Sequence, residues 1–418
     1  MHILVLCPHF APDSAPTGVV MTAIVEGLAE RGHRLHVVTA LPWYEHHAVD
    51  AQWQGRLIRS EETPWGRISR VHPFPTDKRN VRARALGFAG FTGLASLRAL
   101  ITRPRPDVVL AMSPPLPIGL AGLAVARARR APFVFNIQDV FPDVAIELGL
   151  LTDRRVIKAA SWAERFSYAH SDAVTVLSDD LRDNVETKLE QRHKRHRTRV
   201  EVIPNFVDTT RIRPMTHDNS YRREHGLDGK IVVMYAGNVG LSQSLELVIG
   251  AARAMCERRD VAFVINGGGS ALAGLQQAAA DLPNVVFVPY QPPERLGEVL
   301  AAADIHVVPL KRGLAKASVP SKLYSVLAAG RPVLASVDPD TEVDRTIRRA
   351  GAGLCVPPDD AGRFIGALRR LIDAPGDRDA MGASGRRFVE GWVSPQAVAR
   401  HYDDLLTAIA AARRRPQW

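Results

Sequence analysis

The run SVPSKLYSVLAAGRPVLAS, Ser318 to Ser336, has a form that apolar packing alone does not require. A proline and a serine precede a helical stretch, Lys322 falls in its first turn, and Gly330 stops it before a short apolar strand. The first backbone amides of a helix have no partners within it, and a lysine beside them adds a point charge, so such a start suits an anion. Lysine is sparse in this chain, yet Lys311, Lys316 and Lys322 cluster here. The amides of Lys322 and Leu323 would flank the ammonium, and Ser321 would cap the helix or donate to the anion. A solvated basic loop is the competing reading.

Other loops share this chemistry. PHFAPDSAPTGVV follows the first apolar run, and its Gly18 lets backbone amides approach an anion at a helix start. After IVVMYA, Gly237 and Gly240 frame Asn238, and after VAFVIN, Gly267, Gly268 and Gly269 free the backbone for close contact. Several anion-tolerant loops in one chain suit a nucleotide diphosphate better than a lone phosphate. In FNIQDVFPDVAIELG, the Asp139 carboxylate can orient or help deprotonate a hydroxyl, or cap the segment that follows. His9 is either a weaker candidate of the same kind or a packed histidine. His46 with His47 and His193 with His196 lack a matching ligand set, so no metal is expected. No serine sits in a nucleophile-elbow pattern.

The elements that must position these residues follow from periodicity. A chain of 418 residues, 46% hydrophobic and 6% aromatic, buries real cores and should divide into two or three domains. HILVL, RLHVVTA, DVVLAM, FVFNI, AVTVLS and VEVIPN alternate with helical patterns in the first half. IVVMYAG, VAFVINGG, VVFVPY, IHVVPL, PVLAS and GLCVP do so in the second. This rhythm predicts two doubly wound α/β units with parallel sheets, whose ligands sit beyond the carboxyl ends of the strands. The boundary is expected just after VIPNFVD, giving domains 1–208 and 209–394. A helix over about 395–418 has an apolar stripe through Val398, Tyr402, Leu405, Leu406 and Ile409.

The formal charge of +10 favours an anionic partner. Nucleic acid is not expected, because basic residues are not interleaved with aromatics in a binding module. Three scattered cysteines and an N-terminus running straight into a strand predict a cytoplasmic, unexported chain. Val108–Ala126 is uncharged, but its central prolines predict strand, loop and helix rather than a membrane span. Residues 78–105 hold basic but no acidic residues, and Leu86, Gly90, Leu94, Leu97 and Ile101 share one helical face near Phe88 and Phe91. A helix of this kind either lies on an anionic membrane surface or simply covers a sheet.

The ordered series PHFAPDSAPTGVVMTAIVEGLAERGHRLHVVTA, VIPNFVD, MYAGNVG, INGGGSALAGLQ, VVFVPYQPPERLGEVLAAADIHVVPL and VPSKLYSVLAAGRPVLAS resembles family 4 retaining glycosyltransferases over nearly the whole chain. Within that family it looks most like the colanic acid and O-antigen fucosamine transferase branch. The resemblance implies a GT-B fold: two Rossmann-like domains facing a central cleft, acceptor bound by the first and a nucleotide-sugar donor, UDP-linked by expectation, by the second. It implies that the C-terminal helix packs back on the first domain. It also implies a metal-independent, cofactor-free transfer with retention, in which the leaving diphosphate helps deprotonate the acceptor. A lipid-linked or glycan acceptor at the inner face of the cytoplasmic membrane fits that picture.

In the donor domain that the resemblance implies, Lys322 is read as a substitute cation for the diphosphate, with Ser321, Leu323, Gly18, Asn238, Gly268 and Gly269 as the donor-side candidates. Tyr290 stands where the family holds the base, or is a packed aromatic at a strand end. Glu342, in DPDTEVDR, offers the donor a carboxylate or merely opens a capped helix. Gln138 and Asp139 occupy an acceptor-side position, with His9 nearby. Two glutamates common in the family are replaced by Ala317 and Ser325. Its arginine and lysine for the diphosphate fall at Asn238 and near Gln243 or Ser244. These losses keep two alternatives open: a nucleotide-sugar epimerase of the same fold, and a non-catalytic glycosyltransferase-like subunit.

Overall fold

A computed structural model describes residues 1–44, 48–75, 81–143, 146, 151, 153–190, 198–240, 242–313 and 321–414, leaving out the side chains of 81–85, 321 and 414. The chain divides into two compact units, Met1–Asn205 with Val398–Trp418, and Phe206–Ala397.

The first unit is built on eight strands: β1 (His2–Leu6), β2 (Arg34–Ala40), β3 (Ile58–Thr63), β4 (Gly66–Val71), β5 (Val108–Ser113), β6 (Phe133–Ile137), β7 (Ala173–Val176) and β8 (Arg199–Val202). Their order is β3-β4-β2-β1-β5-β6-β7-β8, parallel throughout except where β3 runs antiparallel to β4. Strands covered on both faces carry near-continuous apolar runs, which is why β1 and β5 read so plainly. The β3–β4 hairpin is absent from the strands read by sequence, because IRSEET and GRISRV show no apolar run. Its inner residues are polar and largely paired: buried Arg70 donates to Glu61 at 2.8 Å and to the Ala11 carbonyl, while its Nη1 finds no hydrogen-bond partner among the described residues.

Two helices cover one face. From α2 (Val81–Leu100), Phe91, Ala95 and Ala99 enter the core, and from α3 (Pro117–Ala128), Ile118, Leu123 and Val125 join them. Each large apolar side chain so buried contributes ~1.5–3 kcal/mol. Val108–Ala126 is therefore strand β5, a proline turn and most of α3, and no described helix is long and apolar enough to cross a membrane. The helix Pro395–Arg414 packs on this unit. Its Tyr402 hydroxyl accepts from Asn136 Nδ2 at 2.7 Å, and Asp403 lies 2.7 Å from His33 Nε2.

The second unit holds six parallel strands: β9 (Ile231–Ala236), β10 (Val261–Asn266), β11 (Val285–Val288), β12 (Ile305–Pro309), β13 (Val333–Ser336) and β14 (Gly353–Val356). Their order is β11-β10-β9-β12-β13-β14. Arg222, almost fully buried, anchors the unit's entry by pairing with Asp304 at 2.6 Å.

Both sheets reverse their direction of winding once. The reversal lies between β1 and β5 in the first unit and between β9 and β12 in the second. Loops leaving the carboxyl ends of such a strand pair diverge and open a crevice.

Candidate active site

In the second unit, the loop after β9 and the loop after β10 are pressed together by their backbones. Gly237 N–H donates to the Asn266 carbonyl at 2.8 Å, Val239 N–H to Gly268 at 2.9 Å, and Ala271 N–H to Val239 at 3.0 Å. Only glycine fits at Gly267, with φ +147°, because a Cβ would fall on the Gly237 carbonyl oxygen. Gly269 is similar, at φ +157° against the Val239 carbonyl. Tyr290, 59% exposed, donates its hydroxyl to the Gly268 carbonyl at 3.2 Å, so it stands over these loops rather than in a core.

Into this arrangement comes Lys322, from the helix Ser321–Ala328 that follows β12. Its side chain lies directly over Gly237, where a Cβ would collide with the ammonium, and Nζ sits 5.7 Å from the centre of the Tyr235 ring. Although the residue retains solvent exposure, burial of the ammonium lowers its pKa. No carboxylate among the described residues pairs with it. A cation held at a switch point without a counter-ion is unfavourable by itself and is relieved by an anionic ligand. The structure therefore brings together Asn238, Gly268, Gly269, Tyr290 and Lys322. Leu323 is 2% exposed, its side chain committed to the core beneath.

In the first unit, a pocket of about 460 Å³ opens at the β1/β5 switch point. It is lined by His9 from the loop after β1, Trp43 and Tyr44 after β2, Phe74 after β4, Phe88 of α2, Pro114 and Pro115 after β5, and Asp139 after β6. Burial raises the pKa of Asp139. His9 stacks on Trp43 with centroids 5.6 Å apart and meets Tyr44 edge-on at 5.4 Å. Its Nδ1 lies 2.7 Å from Asp13 Oδ2. Gly18, in α1 (Pro16–Glu30), allows this packing, since a Cβ there would come within 3.0 Å of His9 Cβ.

Other expected residues are placed elsewhere. Gln138 is 7% exposed, and both ends of its amide are used: Nε2 donates to Asn136 at 2.8 Å and Oε1 accepts from Asn205 at 2.9 Å. Glu342 is 5% exposed, and its carboxylate accepts from Thr346 at 3.1 Å and from Arg345 and Arg349 on the same helix. Burial raises its pKa. Ser321 opens its helix, but its side chain, like Lys316, Ala317, His46, His47, His193 and His196, lies outside the described residues. Asp13, Trp43, Tyr44 and Phe74 escaped the sequence reading. The spacing His9-x3-Asp13 was a usable signal; aromatics from three separate loops gave none.

Along α2, Leu86 (74%) and Leu97 (64%) are exposed and Ile101 (68%) continues the ridge just past its end, while Phe91 is buried and Leu94 packs on the core. Arg98 and Arg105 bind protein oxygens. Lys78 and Arg79, and the side chains of Arg82 and Arg84, lie outside the described residues.

Two Rossmann-like units, each a doubly wound sheet, define the GT-B class of fold. Residues 17–205 match the glycosyl transferase 4-like domain, and residues 230–374 match glycosyl transferases group 1. WcaI of Escherichia coli K12, a putative colanic acid biosynthesis glycosyl transferase, is 28% identical over 96% of this chain and 98% of its own. A GDP-mannose-dependent alpha-mannosyltransferase of Mycobacterium tuberculosis is 28% identical over 99% and 98% respectively. Among solved structures, HepE of Anabaena in complex with UDP superposes with a TM-score of 0.64 at 13% identity, over 98% of this chain and 100% of that one. The chain is a GT-B-fold glycosyltransferase related to the family 4 and colanic-acid-type enzymes.

Proposed function

We propose that this protein moves a sugar, with retention of configuration, from a UDP-linked nucleotide sugar to a lipid-linked or saccharide acceptor in cell-envelope polysaccharide or glycolipid synthesis. Within family 4 it is assigned to the colanic acid and O-antigen fucosamine transferase branch. The observation that carries this is the Lys322 ammonium, paired with no carboxylate among the described residues and seated on Gly237 at the β9/β12 switch point. It replaces, from a different element, the cationic residues that the family pattern places in the loop after β9. As the bond to the anomeric carbon breaks, negative charge grows on the diphosphate, and a prepositioned cation with adjacent amides stabilises that state more than the ground state. Asn238, Gly268, Gly269 and Tyr290 shape the wall beside it, and no protein nucleophile is required.

On this reading the pocket of the first unit takes the acceptor, offering it Asp139, His9 and the rings of Trp43, Tyr44, Phe74 and Phe88. The exposed ridge Leu86, Leu97 and Ile101 supports docking of α2 on a membrane surface at its cytoplasmic side. A thermal-shift panel of UDP-, GDP- and dTDP-sugars tests the donor assignment. A ligand at 100 times its Kd adds about 2.7 kcal/mol of stability, so one UDP-sugar should raise Tm by several degrees above the others. A flat response across the panel contradicts the assignment.

A further inference from the structure

We infer that an arginine pocket at the foot of the first unit binds the phosphate of an anionic phospholipid headgroup and so fixes how α2 lies on the bilayer. This rests on the membrane docking of α2 proposed above and adds a site to it. Three arginine-bearing segments, none of which serves the candidate site, meet there: Arg103 and Arg105 between α2 and β5, Arg127, Arg129 and Arg130 at the end of α3, and Arg413 in the last turn of the helix Pro395–Arg414. Arg105 donates from Nε to the Arg129 carbonyl at 2.7 Å and from Nη2 to the Arg130 carbonyl at 2.6 Å. Arg129 in turn donates to the carbonyls of Leu100 at 3.2 Å and Thr102 at 2.7 Å, closing the end of α2. Arg413 reaches the Ala131 carbonyl at 3.2 Å. Arg105, Arg130 and Arg413, with Asp107, line a pocket of about 280 Å³.

Neutral carbonyls fix these guanidinium groups without cancelling their charge. Asp107 accepts from the His2 amide at 2.8 Å, and Asp172, 3.6 Å from Arg413, accepts from the Phe133 amide at 2.8 Å. Arg130 makes no ion pair or side-chain hydrogen bond among the described residues, and the planar fork of a guanidinium matches a phosphate. Its backbone supplies a second observation. Arg130 ends α3 in the left-handed region, at φ +51°, with its own N–H bound to the Arg127 carbonyl at 3.0 Å and that of Ala131 to the Ala126 carbonyl at 2.9 Å. Three other helices end on Gly32, Gly330 and Gly351 in the same region, the residue type that adopts it without strain. An arginine kept at such a position is explained by its charge and not by the turn. The pocket lies beside the amino ends of β5 and β6, whereas the acceptor pocket opens beyond the carboxyl ends of the strands. Helix α2 joins the two: Phe88 lines the acceptor pocket, and Leu100, about 18 Å further along at 1.5 Å per residue, abuts the arginines. Leu86, Leu97 and Ile101 are exposed along this path, and Arg103 follows Ile101 by two residues. Apolar side chains can enter the acyl boundary there while the guanidinium groups stay at phosphate level, a use for the ridge that a free phosphate would not supply.

The test is cosedimentation of the full chain with phosphatidylcholine vesicles, with and without phosphatidylglycerol. Wild type should bind the anionic vesicles, and Arg130→Gly and Arg413→Ala should each weaken that binding roughly fivefold, the pair together roughly 25-fold. Glycine suits the left-handed turn and keeps the carbonyl that Arg105 holds, so Arg130→Gly should melt no lower than wild type, which separates lost binding from lost folding. Arg259→Ala removes an exposed charge from the second unit and should change binding by less than about twofold. An equal loss in Arg259→Ala, or no loss in the two pocket variants, overturns the site while leaving the docking of α2 intact. A wild-type chain that binds neither kind of vesicle defeats that docking, and the site with it. Inorganic phosphate that raises the Tm of wild type but not of Arg130→Gly, while neither pocket variant alters vesicle binding, gives the pocket to a soluble phosphate and overturns the lipid assignment.

Discussion

Lys322→Ala is expected to lower kcat/KM for the nucleotide sugar by roughly 100- to 1000-fold, the range seen when one preorganised donor to a developing charge is removed. The same variant should be at least as stable as wild type without ligand. Its ammonium is partly desolvated, its pKa is lowered by burial, and no described carboxylate offsets that cost. Loss of activity without loss of stability is what separates a functional cation from a structural one. Lys322→Arg should not restore the rate. The seat over Gly237 accommodates a point charge on a flexible stem, whereas a planar guanidinium needs a wider approach. Steady-state kinetics and a melting curve on the three proteins decide the matter, and an alanine variant with wild-type donor affinity and turnover would remove Lys322 from the site.

The second large effect is expected from Gly237→Ala. Gly237 has φ +143°, a conformation that side chains rarely adopt, and an added Cβ would collide with Lys322 Nζ and lie 2.6 Å from its Cε. Backbone strain of this kind costs ~1–3 kcal/mol, so Tm should fall. Because the methyl group also displaces the lysine, donor affinity should drop about as far as it does in Lys322→Ala. The double variant should then bind donor no worse than either single one, a non-additivity expected of two changes acting on one contact. Independent, additive losses would mean that the glycine and the lysine serve different purposes.

Much of the fold is legible in the sequence because buried parallel strands announce themselves as apolar runs. The β3–β4 hairpin is not, because Arg70, Glu61 and Ser69 occupy places that periodicity reserves for apolar residues, and only the partners found in three dimensions make them tolerable. On the donor side, the helix start at Lys322 and the glycine loops carry local signals that survive in one dimension. Their meeting does not, since contact between Lys322 and Gly237 depends on β9 and β12 being neighbours. Glu342 shows the converse: a carboxylate at a helix start is as compatible with its own arginines as with a ligand, and here Arg345 and Arg349 take it. His9 looks like a packed residue when only its neighbours in sequence are considered. Stacking on Trp43 and pairing with buried Asp13 give it an orientation that packing alone does not demand.

Donor bound at the second unit should be consumed only by transfer. The most direct measurement follows both substrates at once: the selected nucleotide sugar is incubated with the full chain, with and without a saccharide or lipid-linked saccharide acceptor, and free nucleotide and glycosylated product are quantified together. Nucleotide and product should appear in a one-to-one ratio, dependent on acceptor and nearly abolished in Lys322→Ala. Conversion of the sugar nucleotide without acceptor, as an epimerase would perform, or tight donor binding with no nucleotide released across the acceptor panel, would contradict it.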